Sequence, residues 1–236
     1  MSISYCFFAE TQLQFVWGNA TVTARCIILF LAVLSIFAWY MMVSKGLQML
    51  RAKKLNVLFD DAFRKEDKVL GIFDRRLQVV GCPMFAVYQE GCAELDTRLK
   101  GEAGQTRKRF ISLNSMEHVK RTLEGTVARE SLKLEAGLIL LAIAVSGAPF
   151  MGLLGTVWGV MDTFAQVGMK GKADLPTMAP GVSAALITTV AGLLVAIPSM
   201  IAYNWLVHTL RVQTVELDNF AQELVSKMET EYLHDE

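Results

Sequence analysis

The sequence predicts an all-α membrane protein, with three transmembrane helices joined to a helical cytoplasmic domain. Three observations carry that expectation. Apolar residues are gathered into three uncharged blocks. Charge is spread unevenly over the segments between them. The long segment after the first block repeats its apolar residues at helical spacing.

The blocks are residues 26–43 (CIILFLAVLSIFAWYMMV), 138–161 (LILLAIAVSGAPFMGLLGTVWGVM) and 180–207 (PGVSAALITTVAGLLVAIPSMIAYNWLV). A bilayer core of roughly 30 Å needs about 20 helical residues, and each block is near or beyond that length. One such block would suit a buried helix of a soluble protein; three in 236 residues do not. The first starts too far along to be a cleaved signal peptide, and residues 1–24 hold no Lys or Arg for a basic leader. It is expected to be a retained anchor.

Residues 44–136 carry 18 Lys/Arg against 13 Asp/Glu, and residues 208–236 carry Arg211 and Lys227 against seven acids. The only cations in the remaining segments are Arg25, Lys170 and Lys172. Cationic loops stay on the cytoplasmic side, so the N-terminus is expected outside and the C-terminus inside. Arg25, just outside the first block, is outweighed. The expected organisation is a periplasmic segment 1–24, a transmembrane helix 25–44 and a helical cytoplasmic domain 45–136. A second transmembrane helix 137–165, a short periplasmic loop 166–179, a third transmembrane helix 180–207 and a cytoplasmic helix 208–236 follow.

Within the cytoplasmic segment, Leu55, Leu58, Phe59, Ala62 and Phe63, then Val69, Leu70 and Phe73, recur at helical spacing. GCPMF (81–85) interrupts, since a proline disfavours helix at the residue before it, and 84–99 resumes an amphipathic pattern. GEAGQT (101–106) reads as a loop, and RKR (107–109) as a solvated face near the membrane. From there an amphipathic helix with Val119, Leu123 and Val127 is expected to run into the second block without a breaker. Leu210, Thr214, Leu217, Ala221, Leu224 and Met228 keep a heptad-like register past the third block, so that helix should continue and pack on another. The acidic tail and basic loop attract, through ion pairs that are individually weak.

Cys6, Cys26, Cys82 and Cys92 make no CxxC motif and are expected to be four free, buried thiols. No P-loop or HExxH occurs, and His118, His208 and His234 are scattered. No enzyme, nucleic-acid or metal site is expected.

Membrane helices associate through small residues that let backbones approach. Gly152, Gly155 and Gly159 in the second block, and Gly181, Ala185, Thr188, Gly192, Ala196 and Ser199 in the third, form such faces, and Pro149 and Pro198 shape the two helices. Thr156 and Thr163 are seven residues apart, within about 20° on one helix face. Thr188 and Thr189 lie near the middle of the third block. Hydroxyls in lipid bond to their own helix's carbonyls; facing a cavity, they hold water and pass protons or small ions. Asp162 is the one carboxylate near a membrane core, where a central charge costs about 3 kcal/mol. It lies toward the outer end, about 240° around the helix from Thr156, at the interface.

APFMGLLGTVWGVMDTF (148–164) followed by MAPGVSAALITTVAGLLVAIPSMIAYN (178–204) closely resembles the TolQ/ExbB/MotA proton-channel family, above all its TolQ/ExbB branch. The resemblance spans roughly residues 130–225 and implies a homopentamer in the bacterial inner membrane, its pore lined by the second and third helices. It implies a single-span TolR/ExbD-type partner inside that pore, carrying a protonatable aspartate, and a possible third component of TolA/TonB type. It also implies use of the proton-motive force for work on the cell envelope, through Tol–Pal or TonB-dependent transport. The family's pore-facing threonines fall on Thr156 and Thr189, with Thr188, Thr163 and Asp162 beside them. No cofactor is implied, only a translocated ion: protons by default, with sodium open. One departure stands out: many TolQ and ExbB chains have a glutamate where this chain has Ala184. That absence supports the alternative of a non-conducting scaffold that only holds a partner helix. The short cytoplasmic insert speaks against a flagellar stator.

Overall fold

The computed structural model describes residues 21–100, 110–170 and 175–233. Cys6, the loop 101–106, the basic run 107–109, Lys172 and His234 lie outside the described residues. Among the described residues six helices follow in order: α1 (Val22–Arg64), α2 (Gly71–Asp74), α3 (Pro83–Lys100), α4 (Leu113–Glu135), α5 (Leu138–Lys170) and α6 (Leu175–Tyr232). Among the described residues there is no strand, only an isolated parallel bridge between Ile111 and Leu233. Three helices, α1, α5 and α6, are long and apolar enough to cross a membrane. The chain divides into a membrane unit (Met1–Val43, Gly137–Asn204) and a second unit (Ser44–Ala136, Trp205–Glu236), which holds the segments expected on the cytoplasmic side.

The second unit is built around large side chains. Phe59 and Phe63 of α1, Phe85 and Tyr88 of α3 and Phe220 of α6 form an aromatic cluster with ring centroids 5.2–6.4 Å apart, mostly in the edge-on or tilted geometry that ring quadrupoles favour. Leu95, Leu99, Leu123, Leu217, Leu224 and Met228 complete this core. The heptad register thus resolves into a buried stripe from Leu217 to Met228, with Leu210 and Thr214 only half-buried. Lys227 sits over the Phe63 ring at 4.1 Å, and Arg64 bonds Glu223 and Asp60 at 3.0 Å each. The exposed Arg64–Glu223 pair joins the basic and acidic segments at little net gain.

Side-chain hydrogen bonds anchor the connections. Tyr88 donates to Val69 O (2.6 Å) and accepts from Phe73 N (2.9 Å), which ties down the turn before α2 and α2 itself. Pro83 opens α3, where its missing N–H costs nothing, and Cys82 Sγ accepts from Phe85 N at 3.4 Å. Ser112 caps α4 by accepting from Ser115 N. Burial pushes the Cys82 thiol and the Tyr88 phenol up, and the Cys92 thiol up to about 12.

Four sequence expectations need correction. The apolar pattern of 55–73 is not one helix: α1 ends at Arg64, and Val69, Leu70 and Ile72 reach the core from a turn and the short α2. Nor does α4 run on into the second block. It stops at Glu135, Ala136 turns extended, and Gly137 takes φ +88°, which costs any residue with a Cβ. The loop after the second block is shorter than 166–179, because α5 continues to Lys170 and α6 begins at Leu175. Cys26 is exposed on the outer surface of α1, whereas Cys82 and Cys92 are buried.

In the membrane unit the outer surface is apolar. Phe30, Ile36, Phe37 and Tyr40 of α1, Phe150 and Val157 of α5, and Leu186, Val190 and Leu194 of α6 are all exposed. In water such a surface would drive association; in lipid it is the solvated face. Inward, α1 packs by Leu31 on Ala148, Val195 and Ala196, and by Ala24 on Ala184. Pro149 and Pro198 lie inside their helices without ending them.

Candidate functional site: the seam between α5 and α6

Glycines bring α5 and α6 together. A Cβ at Gly152 would lie 2.9 Å from Thr188 O and 3.0 Å from Thr189 Cα. At Gly192 it would meet Ala148 O at 2.5 Å, and at Gly159 it would meet Ala185 Cβ at 2.7 Å. Gly155 abuts the Thr188 side chain and Gly181 abuts Thr163. Close approach of this kind replaces the hydrophobic drive that lipid does not supply. Ala185, Thr188, Ala196 and Ser199 are buried, in line with Gly192 on α6.

The threonines of this seam fall into two sets. Thr188 is fully buried and shares its hydroxyl proton between Ala185 O (2.7 Å) and Gly152 O (3.1 Å). Thr163, also buried, donates to Gly159 O at 2.8 Å. Both hydroxyls are enclosed. Thr156 and Thr189 are half-buried. Thr156 donates to Leu153 O at 2.7 Å, and Thr189 faces both Gly152 O at 3.2 Å and Thr156 Oγ1 at 3.3 Å. The oxygen pair is wider than an ordinary O–H···O bond. A threonine hydroxyl has one proton and two lone pairs, so Thr156 keeps acceptor capacity on an accessible edge after both contacts are made.

Gly152 O is the shared element: it accepts from both Thr188 and Thr189 across the seam. Sequence reasoning took Gly152 as a packing residue only. Its position four residues before Thr156 was the available signal, since that carbonyl lies one turn below the hydroxyl.

Asp162 is half-buried, and among the described residues no hydrogen bond or ion pair to its carboxylate is found. It lies in register with Gly155 and Gly159 along α5, away from the Thr156 edge. Arg25, Asp162 and Lys170, the last residue of α5, are the charged residues among the described residues of the membrane unit. Ala184 is buried against Ala24 and Ile187, off the Thr156–Thr189 edge. Elsewhere, a 560 Å³ cleft between α4 and α6 is lined by Lys120, Glu124, Asp218 and Gln222, a mixed polar surface. Among the described residues no group of three His, Cys, Asp or Glu side chains is arranged to hold a metal.

The description of the MotA/TolQ/ExbB proton channel family fits residues 94–219, which contain α4, α5, most of α6 and the whole threonine seam. The Tol–Pal system protein TolQ of Pseudomonas aeruginosa is 33% identical over 198 residues, covering 83% of each chain. This chain belongs to the MotA/TolQ/ExbB family. The biopolymer transport protein ExbB of Xanthomonas campestris pv. campestris is 41% identical over 121 residues, 51% of this chain and 48% of that one. ExbB of Neisseria meningitidis is 29% identical over 193 residues, 81% and 85% respectively. Membership in this family and three apolar helices make the chain a multi-pass protein of the bacterial inner membrane. The family match begins within α3, so α1 contributes to the membrane unit from outside the matched residues.

Proposed function

We propose that this chain is the ion-conducting stator subunit of an inner-membrane motor that couples the proton-motive force to work on the cell envelope. The observation that carries the proposal is the half-buried Thr156–Thr189 pair, set on a glycine seam inside the family-matched residues. Under this proposal the N-terminus is periplasmic, five copies surround a pore, and α5 and α6 line it. A TolR/ExbD-type helix with a membrane aspartate occupies the centre, and a TolA/TonB-type protein receives the work. Protons are the default ion, with sodium as the variant to test.

The chemistry follows from hydroxyl inventory. Thr156 has a lone pair free, so it accepts a hydrogen bond from a protonated partner carboxyl or from water. When the carboxyl ionises, that bond is lost and the acid instead seeks donors, which the committed threonine protons do not supply. Neutral and ionised partner are thereby held with different strength, which is the differential binding a coupled motion requires. Asp162 stands apart from this pair and would act, if at all, at the outer mouth.

The test is Thr156→Val with Thr189→Val in a complex reconstituted with its partner, alongside Thr156→Ser with Thr189→Ser. Valine keeps shape and removes the hydroxyls; serine restores them. The proposal expects proton-dependent work to be lost in the first and retained in the second, with assembly intact in both. Unchanged work in the valine variant would sink the hydroxyl role.

One set of observations favours a second reading, a scaffold that holds a partner helix without conducting. The seam's threonine protons all face carbonyls or one another, and Ala184 supplies no carboxylate. Ion flux measured across liposomes holding the complex separates the two: a scaffold gives none.

A further inference from the structure

The second half of α1 begins with a run of cations that the second unit does not use. Residues 44–59 contain Lys45, Arg51, Lys53 and Lys54 and no acid; the first acid is Asp60. Arg51, Lys53 and Lys54 are exposed, and among the described residues none of them makes a hydrogen bond or ion pair. Lys45 bonds only Gln48, at 2.9 Å. Further along the unit, Arg64 pairs with Asp60 and Glu223, Arg75 with Glu66, Arg98 with Glu94, Lys100 with Asp96 and Lys133 with Glu130, while Lys65, Lys68, Arg76, Lys120, Arg121 and Arg211 make no ion pair among the described residues but stand in segments that also hold acids. Residues 44–59 are set apart by holding four cations and no acid, within about three helical turns of the end of the uncharged block at Val43.

Apolar side chains stand among them. Leu47 and Leu50 are about half exposed (49% and 53%) and share a helix face with Arg51 and Lys54, the same face that presents Tyr40 and Val43 earlier in α1. An exposed leucine pair in water is a liability. Interleaved with cations, and continuous with a lipid-facing surface, it matches a bilayer boundary, where apolar atoms meet acyl chains and cations meet phosphates.

We propose that residues 45–54 of α1 form a binding collar for anionic phospholipid headgroups of the inner leaflet, with Arg51, Lys53 and Lys54 as its headgroup ligands. Arginine's planar fork suits bidentate phosphate recognition, and the two lysines add point charges. The proposal rests on α1 crossing the membrane and is independent of ion conduction, so failure of one leaves the other standing.

The test uses the full chain in detergent, titrated separately with phosphatidylglycerol and phosphatidylcholine, with bound lipid counted by native mass spectrometry. Three proteins are compared: the natural chain, the triple variant Arg51→Gln/Lys53→Gln/Lys54→Gln, and a charge-matched variant Lys65→Gln/Lys120→Gln/Arg121→Gln. Each headgroup-facing cation contributes roughly fivefold in affinity. The triple variant should therefore lose at least about tenfold of the preference for phosphatidylglycerol. The charge-matched variant should keep that preference, and a matched concentration of inorganic phosphate should not displace the lipid. The proposal is overturned if the triple variant keeps its preference, if the charge-matched variant loses it equally, or if free phosphate displaces the lipid.

Discussion

The two units of this chain are held together by opposite means. In the second unit the core is made of large side chains: five aromatic rings in mutual contact, ringed by leucines. In the membrane unit the core is made by the absence of side chains, with Gly152, Gly155, Gly159, Gly181 and Gly192 letting two backbones touch. Water explains the difference. Where water is the solvent, burying large apolar groups is favourable at roughly 25 cal/mol per Å², and the largest residues contribute most. Where lipid is the solvent that gain vanishes, and stability comes from contact and from hydrogen bonds that short distances permit. The same substitution type should therefore act oppositely in the two units.

The largest expected effect is at the membrane seam. Gly152→Val places a branched side chain against Thr188 O and Thr189 Cα. Neither backbone atom can move without parting the helices, and the variant should fail to yield folded protein in detergent by size-exclusion chromatography. A normal elution profile and melting temperature would show that the seam is looser than its geometry implies. Phe59→Ala comes next. It empties the centre of the aromatic cluster and should cost about 3–5 kcal/mol, read as a lowered thermal midpoint of the second unit while the membrane helices persist by circular dichroism.

A smaller effect concerns pH. Cys92 is held neutral by burial, with its pKa raised to about 12 from the usual value of 9.0. A group raised in the folded state favours folding fully below its unfolded pKa, and that contribution declines as pH rises through the window between the two values. Thermal stability should therefore fall from about pH 9 upward, and Cys92→Ala should flatten that decline. At neutral pH neither Cys82 nor Cys92 should react with a maleimide in the folded chain, a point mass spectrometry of labelled peptides settles. The smallest effect reverses the sign of the first. Gly125 lies inside α4 with nothing near the place a Cβ would occupy. Gly125→Ala should stabilise by about 0.5–1 kcal/mol, a rise of a few degrees in midpoint. One glycine tolerates no added carbon and the other gains from it.

Much of this was legible from residues alone. Three uncharged blocks announce three long apolar helices, because nothing shorter satisfies backbone groups across lipid. The stripe Leu217, Ala221, Leu224 and Met228 foretold a buried face, since its period matches a helix. The turn at 65–70 was not legible: Val69, Leu70 and Phe73 continue a helical spacing, and only Tyr88, bonding to Val69 O and Phe73 N, shows that the chain bends there. The break at Gly137 was hidden for the same reason, as a glycine inside an apolar-periodic run can be a helix residue or a positive-φ turn, and only its surroundings decide.

For the seam the division is finer. Composition placed four threonines in the second and third expected transmembrane helices and small residues beside them. It did not separate Thr188 from Thr189, neighbours that differ by one step of rotation around α6. That step puts one hydroxyl into a closed contact with Ala185 O and Gly152 O, and leaves the other half-buried beside Thr156. Nor did it show that Ala184 meets Ala24 of α1. By itself the sequence determined which residues share a helix face, because the helical period is a local property of the backbone. Only the tertiary structure decided what each face meets, because a contact between helices distant in sequence depends on how closely their backbones approach, and here glycines far apart in the chain set that distance together.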